Sequence, residues 1–474
     1  VSDQNNGVQQ TDTWTSGFAF LYSCMASAIG LGSLWRFPYT VGQNGGAAFV
    51  ILFLVFILVL CVPLMMAEML IGKRGGGSAL MSIGNMIRGE RAWGAWKAIG
   101  WLSIIVPFLG LSYYSVVAGW GLQYIGVAAT HGFDGYATTS AAKFDTLMNS
   151  PWLGGALQAG FILAVSLIVA LGVQRGIEWV ARIKMIGLLV IMVGLVAYGA
   201  MTLDMKRALA FLFTPNWAAL TPEAVLEAFG QALFSTSIGV GMIITYAAYV
   251  PRRISLGQAS FAINGAVALV ATMAGLAIFP ALFTYGIKPT SGPPLIFVAL
   301  PAAFDKMPGG RWVGLTFFVM IVLAAFTVAV GMLEPVVAWL KEKSKLGRGP
   351  LALLTGAACF AVGLPSLLSF STLKDVHPLS GVKVFASKTF FDLLDFSIAN
   401  LLLPLNGLLI ALFVGWCVKR ATVDEELGLK GPVELGWRVS VMILSPLLVA
   451  ILMVSLIFPD SAKALLDHLL PKGA

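Results

Sequence analysis

The residues of this chain best suited to chemistry are backbone groups rather than side chains. Ser27-Ala28-Ile29-Gly30-Leu31-Gly32-Ser33 lies inside an apolar run, and far downstream Ser237-Ile238-Gly239-Val240-Gly241 repeats the pattern Ile-Gly-aliphatic-Gly inside another. Each glycine weakens a helix by about 1 kcal/mol relative to alanine, so both runs are expected to unwind there. A half-helix that stops at the break points a negative dipole end into the gap, and one that starts there points a positive end. The first suits a cation and the second a carboxylate. Unwound backbone at membrane depth survives only where it is shielded from lipid. Interrupted helices at matching places in two halves of a chain point to a midplane binding site in a secondary transporter.

The elements that must hold these breaks are membrane helices. Of 474 residues, 58% are hydrophobic and only 11% charged, against about a quarter charged in soluble proteins. Eleven stretches reach the length of roughly 20 apolar residues that a spanning helix needs. They lie near 17–38, 48–72, 97–127, 152–172, 181–201, 224–249, 257–285, 312–340, 350–370, 390–416 and 438–458. Lys and Arg collect on one side, among them Lys73, Arg74, Arg175, Arg182, Lys184, Arg252, Arg253, Lys341 and Lys419. That side is expected to be cytoplasmic, leaving the N-terminus inside and the C-terminus outside. The net charge of +8 is then a membrane-surface bias, and no nucleic-acid partner is implied. No cleaved signal peptide is expected in Val1 to Thr15.

Other chemistries lack their residues. Cys24, Cys61, Cys359 and Cys417 fall within predicted spans, where thiols pack as small hydrophobes, so no disulfide is expected. His131, His377 and His468 are scattered over separate loops, which argues against a histidine metal centre. No nucleophile–base set or phosphate loop stands out, since Gly75-Gly76-Gly77 has no Lys-Ser/Thr after it. An enzyme is therefore not expected.

Ala28-Ile29-Gly30-Leu31-Gly32, Trp35-Arg36-Phe37-Pro38-Tyr39 and Asn44-Gly45-Gly46-Ala47-Ala48-Phe49 resemble the signature of the neurotransmitter:sodium symporter family, bacterial amino-acid branch. Pro63-Leu64-Met65, Glu68, Tyr113-Tyr114, Gly176-Ile177-Glu178, the second broken run and Thr327 extend the likeness over nearly the whole chain. The resemblance implies an all-α polytopic membrane protein of LeuT-type fold, with eleven transmembrane helices in a 5+5 inverted repeat whose helices 1 and 6 are broken. Residues 1–15 would be a cytoplasmic segment, 16–201 the first repeat, 202–223 an extracellular loop and 224–416 the second repeat. Residues 417–437 would form a cytoplasmic loop, 438–458 the eleventh helix and 459–474 an extracellular tail. Segments near 128–151, 203–223 and 286–311 would be long external loops.

The resemblance also implies a site. The substrate ammonium would meet carbonyls of Ala28, Phe234 and Ser235, beside Ser27, and its carboxylate the N–H groups of Leu31 and Gly32 and the Tyr114 hydroxyl. Monoamine carriers resemble one another in placing Asp where this chain has Gly30, so the substrate here should bring its own carboxylate, as an amino acid does. The side-chain pocket would be Gly110, Tyr114, Ser237, Val240, Val328 and Met332. With no ionisable group among them and little bulk at Gly110 and Val240, large apolar or aromatic side chains are expected.

Sodium, a hard cation, prefers oxygen donors. A first sodium site, shared with the substrate carboxylate, would use Ala28, Ser33, Ser235 and Asn264. A second would use carbonyls of Ala26, Ile29 and Ala324 with the Thr327 hydroxyl. There relatives have Ser or Asp where this chain has Val328, and the stretch from Gly176 to Ile186 lacks their Pro, so weak or no sodium binding is expected. Phe53 and Ala268 replace polar groups of the family's chloride site, so chloride independence is expected. Glu68 and Glu334 are acids at membrane depth, where an acid is functional by default. An outer gate would close Arg36 and Asp395 over the substrate, with Phe234 and Tyr114 as an aromatic lid. An inner gate would use Trp14, Tyr249 and Glu342. Thr11 stands where relatives carry a basic residue, so a loosely held inner side and an inward-facing resting state are expected.

These readings converge on a bacterial inner-membrane symporter that takes up apolar or aromatic amino acids with sodium. A sodium-independent or proton-coupled carrier is the alternative on the same scaffold, and a non-transporting amino-acid sensor the alternative of another class.

Overall fold

The computed structural model describes residues 13–251, 253–288 and 294–457. Residues 1–12 with Thr11, Arg252, part of the 286–311 segment and the 459–474 tail with His468 lie outside them. All regular structure among the described residues is helical.

The first apolar run divides into α1 (Gly17–Ala28) and α2 (Gly32–Gln43), bent by 52°. Ser16 opens α1 by accepting from Ala19 N at 3.1 Å, an N-cap that satisfies one of the free donors of the first turn. The helix stops because Ile29 turns extended, with φ −78° and ψ 102°. Then follow α3 (Ala47–Gly75), α4 (Ala79–Glu90), α5 (Gly94–Thr130), α6 (Pro151–Ala170) and α7 (Val173–Thr202). The second broken run gives α8 (Pro222–Thr236) and α9 (Met242–Ala247). Finally come α10 (Leu256–Thr284), α11 (Gly310–Lys343), α12 (Arg348–Leu368), α13 (Phe390–Cys417) and α14 (Pro432–Ile457).

Nine of these helices are long and apolar enough to cross a membrane, or ten if α1 and α2 count as one bent span. The protein is a multi-pass membrane protein. The predicted run at 224–249 is absent from that count because neither α8 nor α9 is long enough alone, at about 1.5 Å of rise per residue. The segments expected as external loops contain short helices, Tyr136–Met148, Met205–Phe213 and Leu300–Lys306.

Two packing groups enclose the site. In one, α11 lies along α5, and α12 along α5 and α6. In the other, α8, α9 and α10 pack on α3, while α10 also touches α1 and the first turn of α2. Helix α7 bridges them, in contact with α1, α10 and α11.

Candidate functional site

The downstream break owes its shape to backbone that only glycine tolerates easily. Gly239 and Gly241 have φ of +85° and +91°, and Ser237 is also left-handed at +56°. A Cβ on Gly241 would lie 2.4 Å from the Ser103 Cβ, and one on Gly239 would lie 2.2 Å from the Leu403 carbonyl oxygen. Two buried side chains hold the peptide groups that unwinding frees. Glu68 Oε1 accepts from Gly239 N at 2.6 Å, and Asn406 Nδ2 donates to Gly239 O at 2.7 Å and to Ser103 Oγ at 3.0 Å. Glu68, one of the two acids at membrane depth, thus holds unwound backbone. Asn406 was not foreseen, since an Asn after a Leu-Pro-Leu run carries no motif.

The upstream break faces the downstream one across a pocket. Ala28, Gly30, Leu31 and Gly32 line it from one side, and Phe234, Ser237 and Val240 from another. Gly110, Tyr114, Val328 and Met332 complete the expected set. Val106, Ile398 and Leu403 also line the pocket, and as ordinary apolar-run residues they carried no distinguishing signal, while Tyr113 of the Tyr113-Tyr114 motif lines it too. Leu31 N and the Tyr114 hydroxyl, both assigned to a carboxylate by resemblance, are neighbours at 3.5 Å. A Cβ on Gly30 would lie 2.5 Å from Val328 Cγ2, whereas one on Gly110 would meet Met332 Cε only at 3.6 Å. Gly30 therefore packs tightly against the Val328 side chain, while Gly110 opens space toward the pocket.

Two proposed substrate contacts lie off the pocket lining. The Ser27 hydroxyl turns away to donate to the Tyr246 hydroxyl at 3.2 Å, packed close to Gly331. The Ser235 hydroxyl accepts from Gln231 Nε2 at 2.8 Å, and Gln231 also reaches the Gly32 carbonyl at 2.9 Å.

The candidate first cation site can be tested by its donors. Ser33 and Asn264 are fully buried, and neither Ser33 Oγ nor Asn264 Oδ1 has a hydrogen-bond partner among the described residues. The Asn264 amide nitrogen is anchored on Ser260 O at 2.9 Å, which fixes which end of the side chain is free. Orphaned buried oxygens are costly, and a hard cation is a ligand that would satisfy both. The donor set fits sodium.

The second set is arranged otherwise. Thr327 Oγ1 donates to Ala26 O at 2.9 Å and Ala324 O at 3.2 Å, so all the expected residues except Ile29 are joined directly. Ala26 O and Ile29 O also accept from Lys184 Nζ, at 2.8 and 2.6 Å. Lys184, whose sequence position suggests a cytoplasmic-side charge, is thus turned into the packing. Phe53, at the position of the family's chloride site, is fully buried and packs on Phe37 with centroids 4.6 Å apart and the rings tilted by 48°.

Above the pocket a second cavity shares Leu31, Tyr113, Tyr114 and Phe234 with it, and adds Trp35, Arg36, Phe391 and Asp395. The Arg36 guanidinium lies 4.7 Å over the Phe234 ring, a cation–π geometry. Asp395 interacts with Arg36 and with the Tyr113 hydroxyl.

On the opposite side, where a loosely held inner face is expected, the first described residues are tied down by several hydrogen bonds. Trp14 is buried, donating from Nε1 to Tyr246 O at 2.9 Å and from its backbone to Tyr249 O at 3.4 Å. Glu178 accepts from Thr15 N at 3.2 Å and from the Thr15 hydroxyl, and Gln174 donates to Thr13 O at 2.7 Å. Glu342 is not at Trp14. It accepts from Ser78 N at 2.6 Å and Ser78 Oγ at 2.5 Å at the start of α4. Glu334, the other acid at depth, is paired with Arg348, which also donates to Val169 O at 2.7 Å.

Comparison with known proteins covers this whole arrangement. The family model described as the sodium:neurotransmitter symporter family matches residues 11–140 and 153–473. The crystal structure of MhsT in complex with L-phenylalanine is similar at a TM-score of 0.85 and 36% identity, over 94% of this chain and 99% of that one. YhdH of Bacillus subtilis, an uncharacterised sodium-dependent transporter, is 36% identical across 88% of this chain and 91% of its own length. A sodium-dependent transporter of Haemophilus influenzae, also uncharacterised, is 29% identical across 95% and 99%. With both broken runs inside the matched residues, the chain belongs to the sodium:neurotransmitter symporter family.

Proposed function

We propose that this chain carries large apolar or aromatic amino acids inward with sodium, by alternating access of the midplane pocket. The observation that carries the reading is one pocket with two kinds of lining. Its wall of Gly110, Val240, Val328 and Met332 is uncharged, and its ends are backbone of the two broken runs with Tyr114. An apolar wall selects the side chain, and the exposed dipole ends favour a zwitterion. The likeness to MhsT, whose structure was determined with L-phenylalanine, supports the same substrate class.

Sodium bound by Ala28, Ser33, Ser235 and Asn264 would share the substrate carboxylate, so each would raise the affinity of the other. Arg36, Asp395, Tyr114 and Phe234 close the outer side over the bound pair, and Trp14, Tyr249 and their neighbours close the inner side. Eleven spans in two inverted repeats, with α8 and α9 acting as one interrupted span, give the two packing groups their rocking motion. The protein sits in a bacterial inner membrane with its N-terminus in the cytoplasm and its C-terminus outside. Chloride is not needed, because Phe53 and Ala268 offer it no donor.

Uptake of the radiolabelled amino acids into proteoliposomes tests the reading. Uptake of phenylalanine or another large apolar amino acid is expected under an inward sodium gradient, unchanged when gluconate replaces chloride. Equal uptake in choline and in sodium would contradict the coupling, and binding with no flux would make the protein a sensor.

A further inference from the structure

Lys184 stands out among all the buried charges. It sits on α7, inside the helix packing and outside both pockets, with no exposed surface. Its two hydrogen bonds go to the carbonyls of Ala26 and Ile29, at 2.8 and 2.6 Å. These carbonyls belong to the last turn and the cap of α1, where the helix carries its negative dipole end. An ammonium group withdrawn from water is tolerated only where acceptors and opposing charge replace its hydration, and the broken helix supplies both. Thr327 Oγ1 donates to the same Ala26 carbonyl at 2.9 Å, so the set through which relatives are expected to bind a second ion is wired around an amine.

We propose that the Lys184 ammonium is a tethered cation standing in for the second sodium ion, leaving the carrier with one transported sodium per amino acid. The inference rests on the functional reading above and adds to it the number of ions coupled. Two cations cannot share the same pair of carbonyls without strong repulsion in so dry a place. Val328 removes a further oxygen that a free ion would use. Unlike sodium, the lysine cannot leave: when α1 moves away from α7, the positive charge stays behind on α7. Lys184 therefore stabilises the closed junction of α1, α7 and α11 in every cycle and contributes no ion to the gradient-driven step.

The test uses the full-length purified protein with radioactive sodium and L-phenylalanine. In wild type, the sodium dependence of phenylalanine binding should have a Hill slope near one, and fluxes in proteoliposomes should give one sodium per amino acid. Lys184→Ala and the stem-preserving Lys184→Met should raise the sodium concentration for half-maximal binding by roughly tenfold or more, since each tenfold reflects about 1.4 kcal/mol of lost coupling. A Hill slope and flux ratio near two in wild type would overturn the proposal while leaving the symport reading intact, and this arm needs no variant to fold. Variants that melt at lower temperature yet keep the wild-type sodium curve would also overturn it, making Lys184 a packing residue. Failure of wild type to bind or take up any amino acid in sodium would instead defeat the symport reading, and the lysine proposal with it.

Discussion

At the scale of single residues, the proposed selectivity and the proposed ion affinity of the pocket would rest on different atoms and can be separated. Gly110 faces Met332 at a distance where a Cβ would fit without displacement, so Gly110→Ala should fold normally, and Gly110→Val should chiefly fill the pocket. Each added methylene in a filled apolar site is worth about 1–3 kcal/mol of discrimination. Gly110→Val should therefore weaken binding of L-phenylalanine more than that of L-valine, by roughly tenfold or more, in calorimetric or competition assays. Ser33 offers the complementary test. Because its hydroxyl is buried without a partner, Ser33→Ala removes an unsatisfied group and should leave the ion-free melting temperature unchanged or slightly raised. The same substitution should diminish the stabilisation that added sodium produces. A drop in ion-free stability would mean that the hydroxyl has a structural partner instead.

At the scale of elements, the two breaks are held by different means. The upstream one follows from an extended Ile29, with Gly30 packed close to Val328. The downstream one combines left-handed Gly239 and Gly241 with the clasp of Glu68 and Asn406. Gly241→Ala would bring a Cβ to 2.4 Å from Ser103 and force a side chain into left-handed backbone, so a loss of about 1–3 kcal/mol is expected, read as a lowered melting temperature. Both breaks were legible in the sequence, because paired glycines in an apolar run are local signals. Their clasps were legible only in part: Glu68 is an acid where acids are rare, but Asn406 is one amide near the far end of the chain. Lys184 was hidden for a related reason. A lysine near the end of an apolar stretch reads as a loop charge, and only the packing of α7 against the end of α1 turns it inward. Glu342 shows the converse. Its type was right for a gate, but its carboxylate accepts from Ser78, not from Trp14.

At the scale of the whole molecule, the inner side is sealed by the first described residues, with Trp14 on the Tyr246 and Tyr249 carbonyls and Thr15 on Glu178. Composition could not reveal this seal, because it joins residues distant in sequence. Trp14→Ala should open the cytoplasmic side, and a cysteine placed along the inner path should react with a water-soluble maleimide roughly tenfold faster or more, if at least about 1.4 kcal/mol of closing energy is lost. Unchanged labelling would assign the seal to Glu178 and Gln174. The spans and their order were plain from hydropathy alone, except at α8 and α9, where the break that makes the site also makes the helix too short to count.

In the proposed transport cycle, broken helices present their backbone to a zwitterion beside a sodium ion. Equilibrium binding of L-phenylalanine to the purified full-length protein, in sodium and in choline at equal ionic strength, tests that claim most directly. Saturable binding at least about tenfold tighter in sodium is predicted, corresponding to a coupling of 1.4 kcal/mol or more. Equal affinity in the two salts, or no binding of phenylalanine or of any other large apolar amino acid, would contradict it.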